Sequence, residues 1–328
     1  MKEQILEMLR QSSGYLSGGT ICKALGVSRA AVWKVIEGLR HQGYIIESAP
    51  NRGYRLVQTT TQLCAQEILP RLEDCPWRDT VTVLDTVDST NSRAKALALQ
   101  GAKAGTVLIA DCQTGGRGRM GRSFLSPSGM GAYLSVVLRP QCAPQELMHL
   151  TCATAVAMCD AIENAAGFRP GIKWANDLVY EKRKLAGILT ELSVEAESGQ
   201  VQYAVVGIGI NCCQTAEDFP EELRKTAGSV SMAAGRLIDR NLLAATMVQA
   251  LVRMDRGLLT DRATMLEAYR RDCVTVGQQI SLLCADSVRH GKAVGVTEDG
   301  ALLVEFAPGQ VEPVNSGEVS IRGMYGYL

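Results

Sequence analysis

Val107 to Gln113 reads VLIADCQ, Thr114 to Arg122 continues as TGGRGRMGR, and Ser123 to Leu138 follows as SFLSPSGMGAYLSVVL. The first seven residues have the apolar texture of a buried strand. The loop after them carries Arg117, Arg119 and Arg122 and no acid. Gly116, Gly118 and Gly121 match the spacing G-x-G-x-x-G, which in a dinucleotide-binding fold opens a helix against a pyrophosphate. No helix is expected here, because Pro127, Gly129 and Gly131 dictate loop and then strand. Gly-Lys-Ser/Thr does not follow either, which excludes a Walker A loop. What remains is a glycine-rich loop whose N–H groups and guanidiniums suit a phosphate or carboxylate. Two readings stand at this point: an anion-closing lid, and a basic surface loop in nonspecific contact with nucleic acid.

The flanking segments supply more polar groups. VTVLDTVDSTNSRAKALALQG, from Val81 to Gly101, predicts a strand, a Ser89-Thr90-Asn91 turn and a helix. Such a turn suits a ligand's carbonyl or ureido group, although Ser89 or Thr90 can equally serve as a helix cap. A helix is expected over about 145–166. GIKWANDLVYEKRKLAGILTEL then places Lys173-Trp174-Ala175-Asn176-Asp177 at a strand end, a charged turn at Glu181 to Arg183, and a second strand from Lys184. Asn176 and Asp177 have turn-shaping as their commoner role. Lys184 enters an apolar run, LAGIL, so its ammonium either snorkels to solvent or faces an anion in a partly dry site. VVGIGINCC predicts another buried strand, in which Gly207 and Gly209 admit close approach of a ligand or backbone.

The amino-terminal sixty residues have a different texture. Ile5, Leu6 and Leu9 mark an amphipathic helix, SSGYLSGG a loop, and Ile21 and Leu25 the face of a second helix beginning near Gly19. Gly26 breaks that helix, and Ser28 caps the next, SRAAVWKVIEGLRHQG. This is helix-turn-helix spacing. Val32, Val35, Ile36 and Leu39 face inward, leaving Ser28, Arg29, Ala30, Trp33, Lys34 and Arg40 nearer solvent. YIIESAPNRGYRL predicts two short strands about a turn with Arg52 at its tip, a wing. The whole chain is balanced at 34 bases and 34 acids, yet residues 1–60 hold eight bases against four acids. DNA binding is the expectation, with a dimerisation bundle as the alternative. In a DNA complex Ser28, Arg29 and Ala30 enter the major groove while Lys34 and Arg52 neutralise phosphates.

A chain of 328 residues suits two or three domains, and 46% hydrophobic with 21% charged residues excludes a disordered or fibrous protein. The eleven cysteines form no C-x-x-C pair, and Cys212-Cys213 is their one adjacency, so neither a disulfide framework nor a zinc site is expected. MKEQILEMLR lacks a signal-type apolar core, and no run approaches membrane-spanning length, so a cytoplasmic protein without membrane contact is expected. The expected domains are 1–60, 61–272 and 273–328, with Gln58 to Gln62 as a polar linker and a short helix ended by Pro70. The last domain predicts the strands QQISLLC, RHGKAVGVTEDG, ALLVEFA and GEVSIRG, with turns at His290-Gly291 and Glu298-Asp299-Gly300.

SRAAVWKVIEGLR, Asp88 to Asn91, Gly116 to Arg122, Lys173 to Asp177, Lys184 to Leu189 and Gly207 to Asn211 together resemble the bacterial bifunctional biotin protein ligase and biotin operon repressor family. The resemblance covers essentially the whole chain. It implies an α+β multidomain fold: a winged helix-turn-helix, a central mixed sheet of the class II aminoacyl-tRNA synthetase and biotin ligase type, and an SH3-like β-barrel. It also implies that Ser89, Thr90, Asn91 and Gln113 hold biotin, and that Gly116, Arg117, Gly118, Arg119 and Arg122 belong to a loop ordering over biotin and adenylate. Gly187, Gly207 and Asn211 join that set. Arg119 and Lys184 are the implied catalytic residues, with Lys173, Trp174, Asn176 and Asp177 as secondary candidates.

The implied substrates are biotin and ATP, the latter with Mg²⁺. Implied partners are a biotin carboxyl carrier protein or similar acceptor domain, operator DNA of biotin synthesis genes, and a second copy in a homodimer promoted by biotinyl-5′-AMP. Ala175 stands where the family usually has Pro, Met120 interrupts a loop often more basic, and Phe124 replaces a frequent Trp. Two rivals share much of this chemistry, a lipoate or other acyl-group ligase and a biotin-sensing repressor without catalysis.

Overall fold

A computed structural model describes residues 1–58, 60, 62–284, 287–315 and 318–321, with the side chains of 58, 284, 287 and 318–321 left undescribed. Residues 59 and 61 of the expected linker and 317 and 322–323 of the last expected strand segment lie outside the described residues. The chain divides into two compact units, Met1–Gln66 and Glu67–Leu328.

The first unit holds helices α1 (Lys2–Gln11), α2 (Gly18–Leu25) and α3 (Arg29–His41) and the antiparallel strands β1 (Ile45–Ala49) and β2 (Gly53–Gln58). Ile5, Leu6 and Leu9 meet Ile21, Val32, Ile36, Leu39, Tyr44 and Ile46 in one core, so the three helical stripes and the hairpin close on each other. Gly26 takes φ +66° and ends α2, and Ser28 Oγ accepts from the Ala31 N–H at 3.2 Å to start α3. One expectation is corrected. Arg40 is not turned to solvent: its guanidinium donates to the Ile46 carbonyl at 3.0 and 2.6 Å and to Glu37 at 2.6 Å, pinning the base of the wing to α3.

The short helix α4 (Ala65–Ile68) runs into a 3₁₀ turn containing Pro70. The second unit then builds a seven-stranded sheet from β3 (Val81–Val87), β4 (Thr106–Gln113), β5 (Gly131–Leu138), β6 (Gly171–Lys173), β7 (Asp177–Tyr180), β8 (Arg183–Val194) and β9 (Val201–Asn211). Their order is β3-β4-β5-β9-β8-β7-β6, with β3 and β4 parallel and every other pair antiparallel. All eight residues of β5 are buried, as a central strand covered on both faces requires. Helix α5 (Thr90–Leu99) packs Ala94 and Ala98 on Leu108, Val137, Tyr203 and Val205. Helices α6 (Leu150–Ala166), α7 (Val230–Ala234), α8 (Arg240–Gly257) and α9 (Arg262–Asp272) follow, with α6 packed on α8 and α9 and α8 also on β5. The segment expected as helix from 145 opens with a 3₁₀ turn, Pro144–Leu147, before α6 begins.

A five-stranded antiparallel sheet ends the unit: β10 (Gln279–Cys284), β11 (Ser287–Val296), β12 (Leu302–Ala307), β13 (Gln310–Val314) and β14 (Glu318–Ile321), in the order β13-β12-β11-β10-β14. The turn expected at His290-Gly291 is instead the middle of β11, paired with Ser281 and Ile280. A Cβ on Gly291 would stand 2.7 Å from Val304 Cγ1, so this glycine serves close strand packing rather than a turn. Glu298 to Gly300 does form the expected turn, with Gly300 at φ +83°.

Candidate functional site

The sheet order brings three separated segments to one place. The loop after β4, the β6–β8 region and the middle of β9 line a cavity of about 160 Å³, closed on another side by the start of α5. Of the residues expected there, Ser89, Thr90, Asn91, Gln113, Arg117, Gly118, Arg119, Arg122, Lys173, Trp174, Asn176, Asp177, Lys184, Gly187 and Gly207 all line it. Gly116 and Asn211 do not. A Cβ on Gly116 would fall 2.3 Å from the Phe124 carbonyl oxygen, so that glycine makes room for the returning arm of its own loop. Asn211 donates from Nδ2 to the Gly228 carbonyl at 3.1 Å and accepts from Gln214 at 3.4 Å.

The glycine-arginine loop is itself folded. Gly118 N–H donates to the Arg122 carbonyl at 2.7 Å and Phe124 N–H to the Gly116 carbonyl at 2.9 Å, with Met120 and Gly121 at φ +56° and +74° at the tip. No α-helix opens at the glycines; Arg119–Gly121 makes only a single 3₁₀ turn broken at Met120. Beyond the loop, Gly129 N–H and the Ser128 hydroxyl bind Asp111, whose other oxygen meets the buried Arg240 at 2.7 Å.

Lys173 to Asp177 is not one strand end but the link between β6 and β7, with Asp177 already in the second strand. Two props hold Trp174: its backbone N–H donates to Thr275 Oγ1 at 2.9 Å and its indole to the Gly300 carbonyl at 2.9 Å. Asn176 donates to the Ile188 carbonyl and accepts from Arg119 Nη1, both at 2.9 Å, so the loop is tied to the sheet through this amide. Lys184 Nζ lies 2.7 Å from Asp177 Oδ1 at the cavity wall, which answers the choice between snorkelling and facing the site. Gly187 lies beside that ammonium, where a Cβ would make ordinary contact with Lys184 Nζ at 3.4 Å.

The Ser-Thr-Asn segment takes the capping role anticipated for it and also faces the cavity. Ser89 caps α5, its Oγ accepting from the Ser92 N–H at 3.4 Å, while all three residues also line the cavity. Gln113 Oε1 accepts from the Thr90 N–H at 2.8 Å and from the Thr90 hydroxyl at 3.0 Å. Gly207 and Gly209 give their space to protein groups: a Cβ at 207 would fall 1.9 Å from Asn91 Oδ1 and one at 209 would fall 2.5 Å from the Phe124 ring. Phe124, Ser135, Glu191 and Lys95 were not marked by any local signal as site residues, because each is an ordinary strand, loop or helix residue until the sheet assembles.

Among the described lining residues, Arg117, Arg119, Arg122, Lys173 and Lys184 stand against a single carboxylate, Asp177. A cavity so lined favours a ligand with several negative oxygens, beside a floor of neutral donors and acceptors that suits an uncharged polar group.

In the first unit Ser28, Arg29, Ala30, Trp33 and Lys34 are exposed along the start and outer face of α3, with Trp33 58% exposed. Arg52 lies over the Tyr15 ring, 4.6 Å from its centroid, at the tip of the wing.

The fold is a mixed-sheet domain with a cation-lined cavity, preceded in the chain by a helix-turn-helix unit with a hairpin wing. Residues 83–211 match the model of the biotin/lipoate A/B protein ligase family, residues 2–55 an HTH domain, and residues 275–322 the biotin protein ligase C-terminal domain. The chain is 35% identical over 323 residues to the bifunctional ligase/repressor BirA of Bacillus spizizenii, covering 98% of each. It is 32% identical to that of Escherichia coli, covering 93% of this chain and 92% of the other. The biotin protein ligase of Aquifex aeolicus, solved in complex with biotin and ATP, superposes with a TM-score of 0.62 at 29% identity, covering 74% of this chain and 98% of that one. This chain belongs to the family of biotin protein ligases that carry an amino-terminal DNA-binding domain.

Proposed function

We propose that this chain activates biotin with ATP to biotinyl-5′-AMP, transfers the biotinyl group to one lysine of a carrier domain, and represses biotin synthesis genes when the adenylate is bound. The observation that carries this reading is the convergence of five cations and the Thr90-Asn91-Gln113 floor on one cavity. Biotin's carboxylate attacks the α-phosphorus of ATP, the bond to the bridging oxygen breaks, and pyrophosphate leaves. The ε-amine of the acceptor lysine then attacks the acyl carbon of the mixed anhydride, AMP leaves, and an amide remains.

Both steps shift negative charge among oxygens, so positioned cations lower the barriers without a nucleophilic side chain. Arg119 and Lys184 serve as the catalytic cations, Arg117 and Arg122 bind phosphate oxygens, and Ser89, Thr90, Asn91 and Gln113 hold the ureido ring. Gly116, Gly118, Gly187, Gly207 and Asn211 shape the surrounding backbone, and Lys173, Trp174, Asn176 and Asp177 form the opposite wall. The loop over the anhydride limits its hydrolysis. Mg²⁺ arrives with the triphosphate of ATP, and Asp177 is the lining carboxylate that can face it; no cluster of three or more Asp, Glu, His or Cys side chains forms among the described residues.

The division into 1–60, 61–272 and 273–328 and the closure of the last domain into an SH3-like barrel belong to this reading, supported by the separate five-stranded sheet. So do a cytoplasmic location, supported by the lack of any described helix long and apolar enough to cross a membrane, and docking of Ser28, Arg29, Ala30, Trp33, Lys34 and Arg52 on operator DNA. The adenylate favours a homodimer that sets two reading helices on a palindromic site.

Incubation with ATP, labelled biotin and a biotin carboxyl carrier domain tests the enzyme. Label on the acceptor is expected, and its absence with retained biotin binding leaves only a sensing repressor. Label transferred from lipoate but not biotin reassigns the substrate. Sedimentation with and without biotinyl-5′-AMP tests the switch, and equal self-association in both removes it.

A further inference from the structure

One carboxylate outside the cavity lining hydrogen-bonds to a residue of the cavity floor. Glu191, in β8, is not among the residues lining the cavity, yet its Oε2 accepts from Asn91 Nδ2 at 3.0 Å and its Oε1 lies 2.8 Å from Lys95 Nζ. Burial opposes ionisation of this carboxyl, and the hydrogen bonds from Lys95 and Asn91 outweigh it, so it titrates below the ordinary carboxylate range. At neutral pH it is therefore an acceptor only.

That polarity propagates. The Asn91 amide must turn its NH₂ toward Glu191 and the Leu189 carbonyl, 3.4 Å away, which leaves Oδ1 facing Ser135 Oγ at 2.6 Å. Ser135 has one hydroxyl proton and gives it to Asn91, so the polarity set by Glu191 ends there; Gln113 Oε1 is held separately, by the Thr90 backbone N–H at 2.8 Å. Gln113 is thereby oriented with its NH₂ toward Ser126 Oγ at 2.9 Å, and Ser126 donates to the Phe124 carbonyl at 3.0 Å. Asn91 thus joins the cavity floor to a half-exposed ion pair, while Gln113 joins it to the far arm of the glycine-arginine loop.

A cyclic urea presents one carbonyl acceptor flanked by two N–H donors, so its recognition depends on which end of each floor amide faces it. Asparagine and glutamine amides are nearly symmetric in shape, and packing alone does not select between their two orientations. An anionic acceptor behind Asn91 does.

We propose that Glu191 is a positioning residue that sets the hydrogen-bond polarity of Asn91 and so selects the cyclic urea of biotin. The inference rests on the ligase reading above and deepens it by naming the group that confers ligand selectivity from behind the floor. Lys95 keeps Glu191 ionised, and Gly207 lets the Asn91 amide lie against β9 within reach of it.

Calorimetric titration of the full chain with biotin, with desthiobiotin, which keeps the urea ring and lacks the thioether, and with ATP distinguishes this role from a general structural one. Glu191→Ala is expected to weaken biotin and desthiobiotin alike by about 10- to 100-fold, as an unpaired buried amide predicts, while the KM for ATP and the turnover at saturating biotin stay within about twofold of wild type. Glu191→Gln retains an acceptor for Asn91 and should recover most of the affinity. If Glu191→Ala does not fold, Ser135→Ala tests the same polarity from the other side of Asn91, again with a loss shared by biotin and desthiobiotin and not by ATP. Wild-type affinity for biotin in Glu191→Ala, or a loss falling equally on ATP, overturns the positioning role alone. A wild-type chain that binds neither urea compound overturns the ligase reading and this inference together.

Discussion

Lys184 Nζ and Asp177 Oδ1 stand 2.7 Å apart across the turn joining β7 to β8, at the wall of a cavity where Asp177 faces five lining cations. The pair holds the ammonium of a half-buried lysine at a defined point beside the site rather than letting it sweep through solvent. Lys184→Ala is expected to lower kcat/KM for biotinyl-adenylate formation by about 10²- to 10³-fold, the usual cost of losing one preorganised charge on a transition state. Pyrophosphate release in a single-turnover assay measures it, and an unchanged rate removes Lys184 from the catalytic set.

The DNA face separates from the catalytic face. Arg29→Ala at the exposed start of α3 should weaken operator binding by about 10- to 100-fold, the worth of one good base contact, with biotin transfer unaltered. Lys34→Ala should instead weaken all duplexes alike and reduce the slope of log affinity against log salt by about one. Gel-shift titrations at several salt concentrations distinguish the two, and wild-type retardation by both variants would return α3 to a packing role.

Arg240 is 1% exposed, donates to the Gly131 carbonyl, and meets Asp111, which in turn holds Ser128 and Gly129 at the base of the glycine-arginine loop. Arg240→Met strands the Asp111 carboxylate in the interior and is expected to cost about 3–5 kcal/mol in urea denaturation. Asp111→Asn combined with Arg240→Met removes the stranded charge and should restore part of that loss. Additive losses in the double variant would show that the pair does not act as a unit.

His149 is buried, its Nε2 2.8 Å from the Leu258 carbonyl, and burial pushes its imidazole below the ordinary value. The unfolded chain therefore takes up this proton first as pH falls. Above about 6.5 the group is neutral in both states and contributes no pH dependence. Below that value the folded state loses stability, by at most about 1.4 kcal/mol per pH unit, until the folded-state value is reached. Urea denaturation of wild type and His149→Asn at pH 7.5 and 5.5 should show a smaller acid loss in the variant, and identical losses would assign the effect to other groups.

Local physical chemistry sufficed for much of this molecule. Ser28 caps α3 and Gly26 ends α2 through contacts within a few residues, so their order along the chain is the information. The glycine-arginine loop was legible for the same reason: its glycines and the following Pro127 disfavour an α-helix whatever surrounds it. Gly291 was misread as a turn because glycine marks both a turn and a close approach of strands, and only its place opposite Val304 and Glu305 distinguishes them.

What sequence alone determined was the helices and hairpin of the first unit, the strands and loops that carry the site, and the chemical character of each site segment; α7, α8, α9 and β13 were not read from it. Tertiary structure decided which of those segments share a cavity, because Asn91, Lys184 and Gly207 meet only when β5, β9 and β8 pair in that order. It decided as well that Arg40 braces the wing, that Gly116 and Asn211 stand behind the cavity surface, and that Glu191 lies under Asn91. These are contacts across distant parts of the chain, and a side chain's charge state and partner are set by whatever the fold brings within a few ångströms of it.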